Sequence, residues 1–416
     1  MKTRSRFLIA ASAAGWIVPM SQALAAIDVS AGDWKLDFSG NVNAFYVGTS
    51  CDDGANTAVT GGLACTGDHS ASLRNGLLPA ALVFSATTRQ DDLDIDVTIG
   101  LYPGINSSAA AGVNGAGEPA ALATPGIDAR QVFFTFGDAS WGTVKLGRDI
   151  GLFAKDAILD DMTLLGVGTA GGNAAPGNTS LGRIGIGYIY TDWEPQILYT
   201  TPTFNGFSAS GGIFQPLDSG DYTKHTAPQF QIGANYTWGD PKSADLAGKV
   251  WVDVVSQEAQ LPGSATLAAG EKSSFTGTAV DGGVKLSYAG FEGVLYGYSG
   301  SGVGTTGLYI LASDDLGNRR DSDGGYLQAT YKIHKVKFGV SYGISELKQA
   351  SDDKVADADL TTRNLLKSNA SVVGGVYYSL SKNVTLVGEY IDTKAKAWSG
   401  NSATERDYAI GGILFF

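Results

Sequence analysis

The chain has 416 residues, a formal net charge of −12, and 17% charged residues. This acidic balance, without a basic stripe, argues against nucleic-acid binding. After the first 25 residues no segment offers about 18 consecutive strongly apolar residues, which argues against a helical membrane protein.

The first 25 residues have the parts of a secretory signal. Three basic residues within the first six positions precede an apolar run, and Ala23-Leu24-Ala25 forms a cleavage site. The apolar run is too short to span a membrane. We therefore expect residues 1–25 to be removed on export and residues 26–416 to form one domain.

After residue 33, apolar and polar residues alternate with the period of a β-strand. Clear examples are 34–46, 93–101, 230–238, 327–333 and 336–344. Short connections containing Gly, Asn, Asp or Pro alternate with long polar ones. The long connections span 48–71, 104–126, 150–182, 218–227, 258–277, 303–322, 348–366 and 395–403. This pattern predicts an all-β antiparallel meander of about 16 strands.

The only two cysteines, Cys51 and Cys65, fall in or beside the first long connection. In an exported protein an even number of cysteines predicts a disulfide, which here would close one loop. Two free thiols are the alternative. The spacing fits neither a redox nor a zinc motif.

The end of the chain is apolar to its last residue. In "DYAIGGILFF", Tyr408, Ile410, Leu414 and Phe416 share one parity, so they lie on one face of a predicted strand. Two architectures fit such alternation. A soluble β-sandwich or solenoid buries the apolar faces against each other, whereas a membrane barrel turns them outward to lipid and keeps the polar faces around water.

Three features favour the barrel. The strands reach the roughly 9–11 residues needed to cross a bilayer. Aromatic residues lie near strand ends, as an interfacial girdle requires; they include Trp34, Tyr46, Trp141 and Trp238. An open edge in lipid leaves backbone groups unsatisfied, so the terminal strand needs the first strand, 34–47, as its partner.

Three segments resemble the trimeric general porins of Gram-negative bacteria. "GTVKLGRDIGLFAKDAILDDMTLLGVG" resembles the fifth strand of such a porin running into its third loop, and "LGRIGIGYIYTDWEPQILYTTPTFNGF" resembles the return into the sixth strand. The terminal "YAIGGILFF" resembles the signal read by the outer-membrane assembly machinery. The resemblance implies a sixteen-stranded transmembrane β-barrel, a third long loop folded into the lumen, and a homotrimer in the outer membrane.

The resemblance also implies a pore constriction. In such porins acidic side chains of the third loop face arginines on the opposite wall. Carried over, the wall arginines are Arg148 and Arg183 and the loop acids are Asp156, Asp160 and Asp161. Arg74 matches by position only, and Lys145 has lumen parity. The alternative for these residues is a solvated loop, arginines at the rim and an ordinary wetted wall.

Arg148 needs a further condition. Strict alternation puts it on the outward face together with Val144 and Leu146. A lipid-facing arginine at mid-depth costs about 2–4 kcal/mol. We therefore expect either a bulge at Gly147 that turns Arg148 inward, or a position of Arg148 above the membrane.

The sequence thus predicts a water-filled channel for passive diffusion of small hydrophilic solutes and ions. Its three histidines are scattered and no G-x-S-x-G precedes a helix, so no enzyme, metal site or cofactor is expected. The expected partners are the lipid bilayer, lipopolysaccharide and the assembly machinery. Alternatives are a channel specific for sugars or organic acids, a barrel enzyme, and a structural or adhesive barrel with a plugged lumen. Ion selectivity stays open.

Overall fold

The computed structural model describes residues 27–52, 56–106, 127–173, 178–263, 265–354 and 364–416, so the predicted signal sequence lies outside the described residues. The strands in chain order are β1 (Ile27–Ala31), β2 (Trp34–Cys51), β3 (Ser70–Arg74), β4 (Ala81–Gln90), β5 (Leu93–Pro103), β6 (Ile127–Asp138), β7 (Gly142–Ile150), β8 (Trp193–Thr200), β9 (Phe207–Phe214), β10 (Gln229–Trp238), β11 (Ala247–Gln260), β12 (Ser274–Tyr288), β13 (Phe291–Ser301), β14 (Asp321–Ile333), β15 (Val336–Leu347), β16 (Leu366–Ser379), β17 (Val384–Ala397) and β18 (Ser402–Phe415).

Helical structure is sparse in the described residues. The helix α1 spans Lys155–Asp160, and 3-10 turns span Met162–Leu165 and Asp352–Lys354. None of the helices described is long and apolar enough to cross a bilayer.

The strands close into a ring. From β4 onward each strand pairs antiparallel with the next, as far as β18. β18 pairs with β2, and β2 pairs with β4, so β2 and β4–β18 form a closed barrel of sixteen strands. β3 extends β4 along the same edge of β2, and β1 folds back on the start of β2. The predicted barrel and its closure by the first and last strands are confirmed.

The apolar rows face outward. Ile232, Leu327 and Ile410 are 64%, 61% and 66% exposed, whereas the adjacent Gln231 and Gln328 are fully buried. A soluble sandwich would show the reverse, so that alternative is wrong. On the terminal strand Tyr408, Ile410 and Leu414 all lie on the outward face, and the ring of Phe416 packs 5.8 Å from that of Phe38.

The two ends of the barrel differ. At the short-turn end, tight turns such as 91–92 join the strands, and Asp91 and Asp92 take positive φ values of 47° and 63° there, as a type I′ hairpin requires. At the long-loop end the connections are longer, apart from 398–401, which is shorter than predicted. A disulfide joins Cys51, at the end of β2, to Cys65.

Candidate functional site

In the third long loop the structure describes residues 151–173 and 178–192, and backbone groups of this part bond to inward side chains of the barrel. The backbone N–H of Phe153 donates to Oε1 of Gln231 on β10, at 2.9 Å. The N–H of Met162 donates to Oε1 of Gln328 on β14, at 2.7 Å. Because Gln231 and Gln328 point inward, their carbonyl oxygens satisfy loop amides that a dry contact would leave unpaired.

Helix α1 presents two acids to the wall. Its apolar residues Ala157 and Ile158 are buried, whereas Asp156 and Asp160, four residues apart, lie on one face. Lys249 of β11 places its Nζ 3.1 Å from Asp156 and 2.7 Å from Asp160. Helix spacing and strand phase therefore bring both carboxylates to a single ammonium group.

A second lysine completes this cluster. Lys285 of β12 lies 3.1 Å from Asp160 and 3.0 Å from Glu292 of β13. Burial would raise the pKa of Asp160, but Lys249 and Lys285 outweigh burial and hold that pKa below its ordinary value. The carboxylates of α1 are thus paired with lysines of the adjacent wall, where the family resemblance implied arginines on the opposite wall.

Sequence reasoning missed Lys249 and Lys285, although a signal was present. Both residues have the inward phase of their strands: Val250 and Leu286, their neighbours, are exposed on the outward face. What the sequence lacked was the position of these strands relative to α1.

Asp161 has a different role from Asp160. It is buried, and it accepts hydrogen bonds from the N–H and Oγ1 of Thr163, at 2.9 and 2.7 Å, and from the hydroxyl of Tyr188, at 2.9 Å. Burial raises the pKa of Asp161, and Arg183 offsets part of that rise. These partners all belong to the loop, so Asp161 organises the loop.

Arg183 lies in the loop rather than on the wall. It is fully buried, and its Nη1 donates to the carbonyl of Ser371 on β16 at 3.3 Å. Burial lowers the pKa of Arg183, while Asp161 acts in the opposite direction. The expected strand is absent here because glycines with positive φ curl the segment; they are Gly182, Gly185 and Gly187.

Arg148 does not join this cluster. Val132 of β6 pairs with Arg148 and Phe133 pairs with Gly147, without a shift in register. Cross-strand partners share a face, and Val132 is 47% exposed on the outward side. The expectation of a bulge that turns Arg148 inward is therefore wrong, since Gly147 takes a φ of +130° within a continuous ladder.

The remaining candidates lie inside the barrel. Arg74 is fully buried, and its guanidinium donates to the carbonyl oxygens of Ala170 and Thr179 in the third loop. Lys145 forms an ion pair with Asp149, four residues further along β7. Arg74 therefore anchors the loop, and the charge of Lys145 is matched within its own strand.

Two inward carboxylates, both missed by sequence reasoning, hold the middle of the loop. Oε2 of Glu389 on β17 accepts the N–H groups of Val167 and Gly168, at 2.7 and 2.9 Å. Oε2 of Glu405 on β18 accepts the N–H of Gly172 at 2.9 Å and that of Cys65 at 2.7 Å. Glu405 therefore ties the first and third loops to the same strand.

A closed antiparallel barrel with apolar rows outside, a polar inner wall and a loop against that wall defines a transmembrane β-barrel of the channel class. A family model described as Gram-negative porin matches residues 9–397. The chain therefore belongs to the Gram-negative porin family, and it is an outer-membrane channel for passive diffusion of solutes.

Solved structures with a similar fold are distant in sequence. The outer membrane channel DcaP of Acinetobacter baumannii aligns with a TM-score of 0.66 and 14% identity over 93% of this chain and 99% of that one. The anion-selective porin from Comamonas acidovorans aligns with a TM-score of 0.58 and 14% identity, over 92% of this chain and 100% of that one. Salmonella typhi OmpF, in a complex with daunomycin, aligns with a TM-score of 0.56 and 14% identity, over 94% of this chain and 100% of that one. No curated protein matches the chain.

Proposed function

We propose that the third loop narrows this channel and sieves the solutes that pass. The observation that carries the proposal is the pair of loop anchors at Gln231 on β10 and Glu389 on β17. In a ring of sixteen strands these two lie seven strands apart, almost on opposite sides. A loop fixed at both points occupies part of the cross-section and leaves the remainder to water.

We further propose that the fixed charges on the loop act on passing ions. A narrow annulus of low dielectric strengthens the field of each charge, and an ion that sheds part of its hydration is sensitive to it. The cluster of Asp156, Asp160, Lys249 and Lys285 supplies charges of both signs on one side of the lumen. Such a site acts without covalent chemistry, and we propose no enzymatic activity.

The cellular route is also a proposal. Residues 1–25 direct export and are cleaved, and the outward row of Tyr408, Ile410, Leu414 and Phe416 serves as the assembly signal. The mature chains form a homotrimer. The lipid bilayer, lipopolysaccharide and the assembly machinery are the partners in this route.

Planar-bilayer recording of the purified protein tests the channel proposal. We expect ohmic current steps in multiples of three, and removal of residues 155–165 is expected to raise the conductance of each step. The control removes residues 266–272 from the loop between β11 and β12 and leaves the conductance unchanged. Both variants are first checked for a folded barrel by their heat-dependent shift on gels. A folded 155–165 deletion variant with the conductance of the wild type would overturn the proposal.

A further inference from the structure

Three inward lysines lie on the strands β12, β14 and β15. We call Lys285, Lys332 and Lys337 the lysine patch. Lys332 of β14 and Lys337 of β15 are direct cross-strand partners. Their neighbours Tyr331 and Phe338 are exposed on the outward face, so both lysines have the inward phase. Like charges directly opposite each other destabilise an antiparallel pair.

The two paired lysines differ from Lys285 in their ion pairs. In the part of the chain that the structure describes, Lys332 and Lys337 form no ion pair, whereas Lys285 is bound to Asp160 and Glu292. The charged groups that act on Lys337 are Glu292, Lys285, Lys332 and Glu389.

The two carboxylates that act on Lys337 already have other hydrogen-bond or ion-pair partners. Glu292 lies 3.0 Å from Lys285. Glu389 accepts two loop amides and, at 2.7 Å, the hydroxyl of Tyr377. Within the described residues, neither carboxylate therefore forms an ion pair with Lys332 or Lys337.

The lysine patch adjoins the loop. Gly339 is the next inward residue after Lys337 on β15, and a Cβ added there would come within 2.6 Å of Sδ of Met162. Met162 belongs to the 3-10 turn that follows α1. The Nζ of Lys337 lies 4.8 Å from the ring centre of Tyr377, which fixes its ammonium group on the wall. Solutes that pass this side of the loop therefore meet the patch next.

We propose that the lysine patch docks small divalent anions, such as inorganic phosphate, and makes the channel anion-selective. Two opposed ammonium groups match the charge of such an anion, and lysine binds phosphate as a point charge. A charged lining with low-dielectric walls also concentrates counter-ions. The inference rests on the proposed channel function and names the solutes that it favours.

The reversal potential in a potassium chloride gradient tests the patch. In the double variant Lys332→Gln, Lys337→Gln we expect the chloride-to-potassium permeability ratio to fall by about threefold or more, given the strength of such focusing. The matched control changes Lys242 and Lys382 to Gln, because both are exposed lysines of short turns. This control removes the same charge and leaves the ratio unchanged.

A second measurement uses phosphate on the wild-type channel. Inorganic phosphate added at the short-turn end should reduce the chloride current of the wild type and of a Lys332→Arg, Lys337→Arg variant, but not that of the Gln variant. Failure of phosphate to reduce the wild-type current, or a conducting Gln variant with an unchanged permeability ratio, would overturn the lysine patch alone. A wild type without any conductance would overturn the channel function as well.

Discussion

At the scale of single residues, strand phase decides which charges meet inside the barrel. Lys249 and Lys285 reach Asp160 because both have the inward phase of their strands. Arg148 has the outward phase and stays outside, in spite of the family resemblance around it. A residue's parity on its strand was therefore a better guide than its place in a motif.

Asp160→Asn should destabilise the barrel by about 3 kcal/mol, because it leaves two inward lysines without their shared carboxylate. The pKa of Asp160 is lowered in the folded state. Its contribution to stability is therefore complete above the ordinary carboxyl pKa and is lost as the pH falls through the lowered value. Denaturant unfolding in detergent at a series of acidic pH values measures this, and the variant should lose part of the wild-type acid dependence.

The control for this prediction is Asp315→Asn, since Asp315 is an exposed carboxylate of the loop between β13 and β14. It should change neither the stability nor its pH dependence. An Asp160→Asn barrel as stable as the wild type, with the same acid profile, would show that the loop does not depend on this ion pair.

At the scale of elements, the third loop is held by side chains of the wall that accept its backbone amides. Glu389 accepts two of them through one oxygen, and Gln231 accepts the N–H of Phe153. Carboxylate and amide oxygens suit this task because a loop inside a barrel has no ladder partner for its N–H groups. Loop position therefore depends on residues far away in the chain.

Glu389→Ala should loosen the loop around Val167 and Gly168. Two buried N–H groups lose their acceptor, which costs about 1–3 kcal/mol for each group. We expect greater noise in the open-channel current, and the variance of single-channel recordings measures it. Glu346→Ala removes an exposed carboxylate from the outward face of β15 and is the control. Equal noise in both variants would mean that Glu389 does not restrain the loop.

At the scale of the whole molecule, stability depends on apolar rows that face lipid. Closure of β18 on β2 leaves no open edge in the ring. Tyr408, Ile410 and Leu414 continue the outward surface to the end of the chain. The same rows would be a liability in water, since large exposed apolar patches promote association.

Ile410→Arg should destabilise the refolded barrel by about 2–4 kcal/mol, because an arginine on the lipid face pays for its transfer into hydrocarbon. Unfolding of the protein from lipid vesicles by guanidinium measures the change. Ile410→Leu keeps the volume and the apolar character and should cost less than about 1.5 kcal/mol. Equal stability of the two variants would contradict the outward orientation of this row.

The sequence by itself determined the strands, their alternating faces, the alternation of short and long connections, and the inversion of apolar and polar surfaces. These features can be predicted from the sequence because the side-chain period of two is a local property of the strand backbone. The sequence also predicted that the acids Asp156, Asp160 and Asp161 belong to the third loop, whereas it predicted Arg183 on the wall.

Only the tertiary structure decided which charges share a site. Asp160 and Lys285 are far apart in the chain. They meet because the ring closes and α1 contacts β11 and β12. The opposed pair of Lys332 and Lys337 needed the register of β14 and β15. The contacts of Asp160 depend on the path of the third loop through space, which no local pattern records.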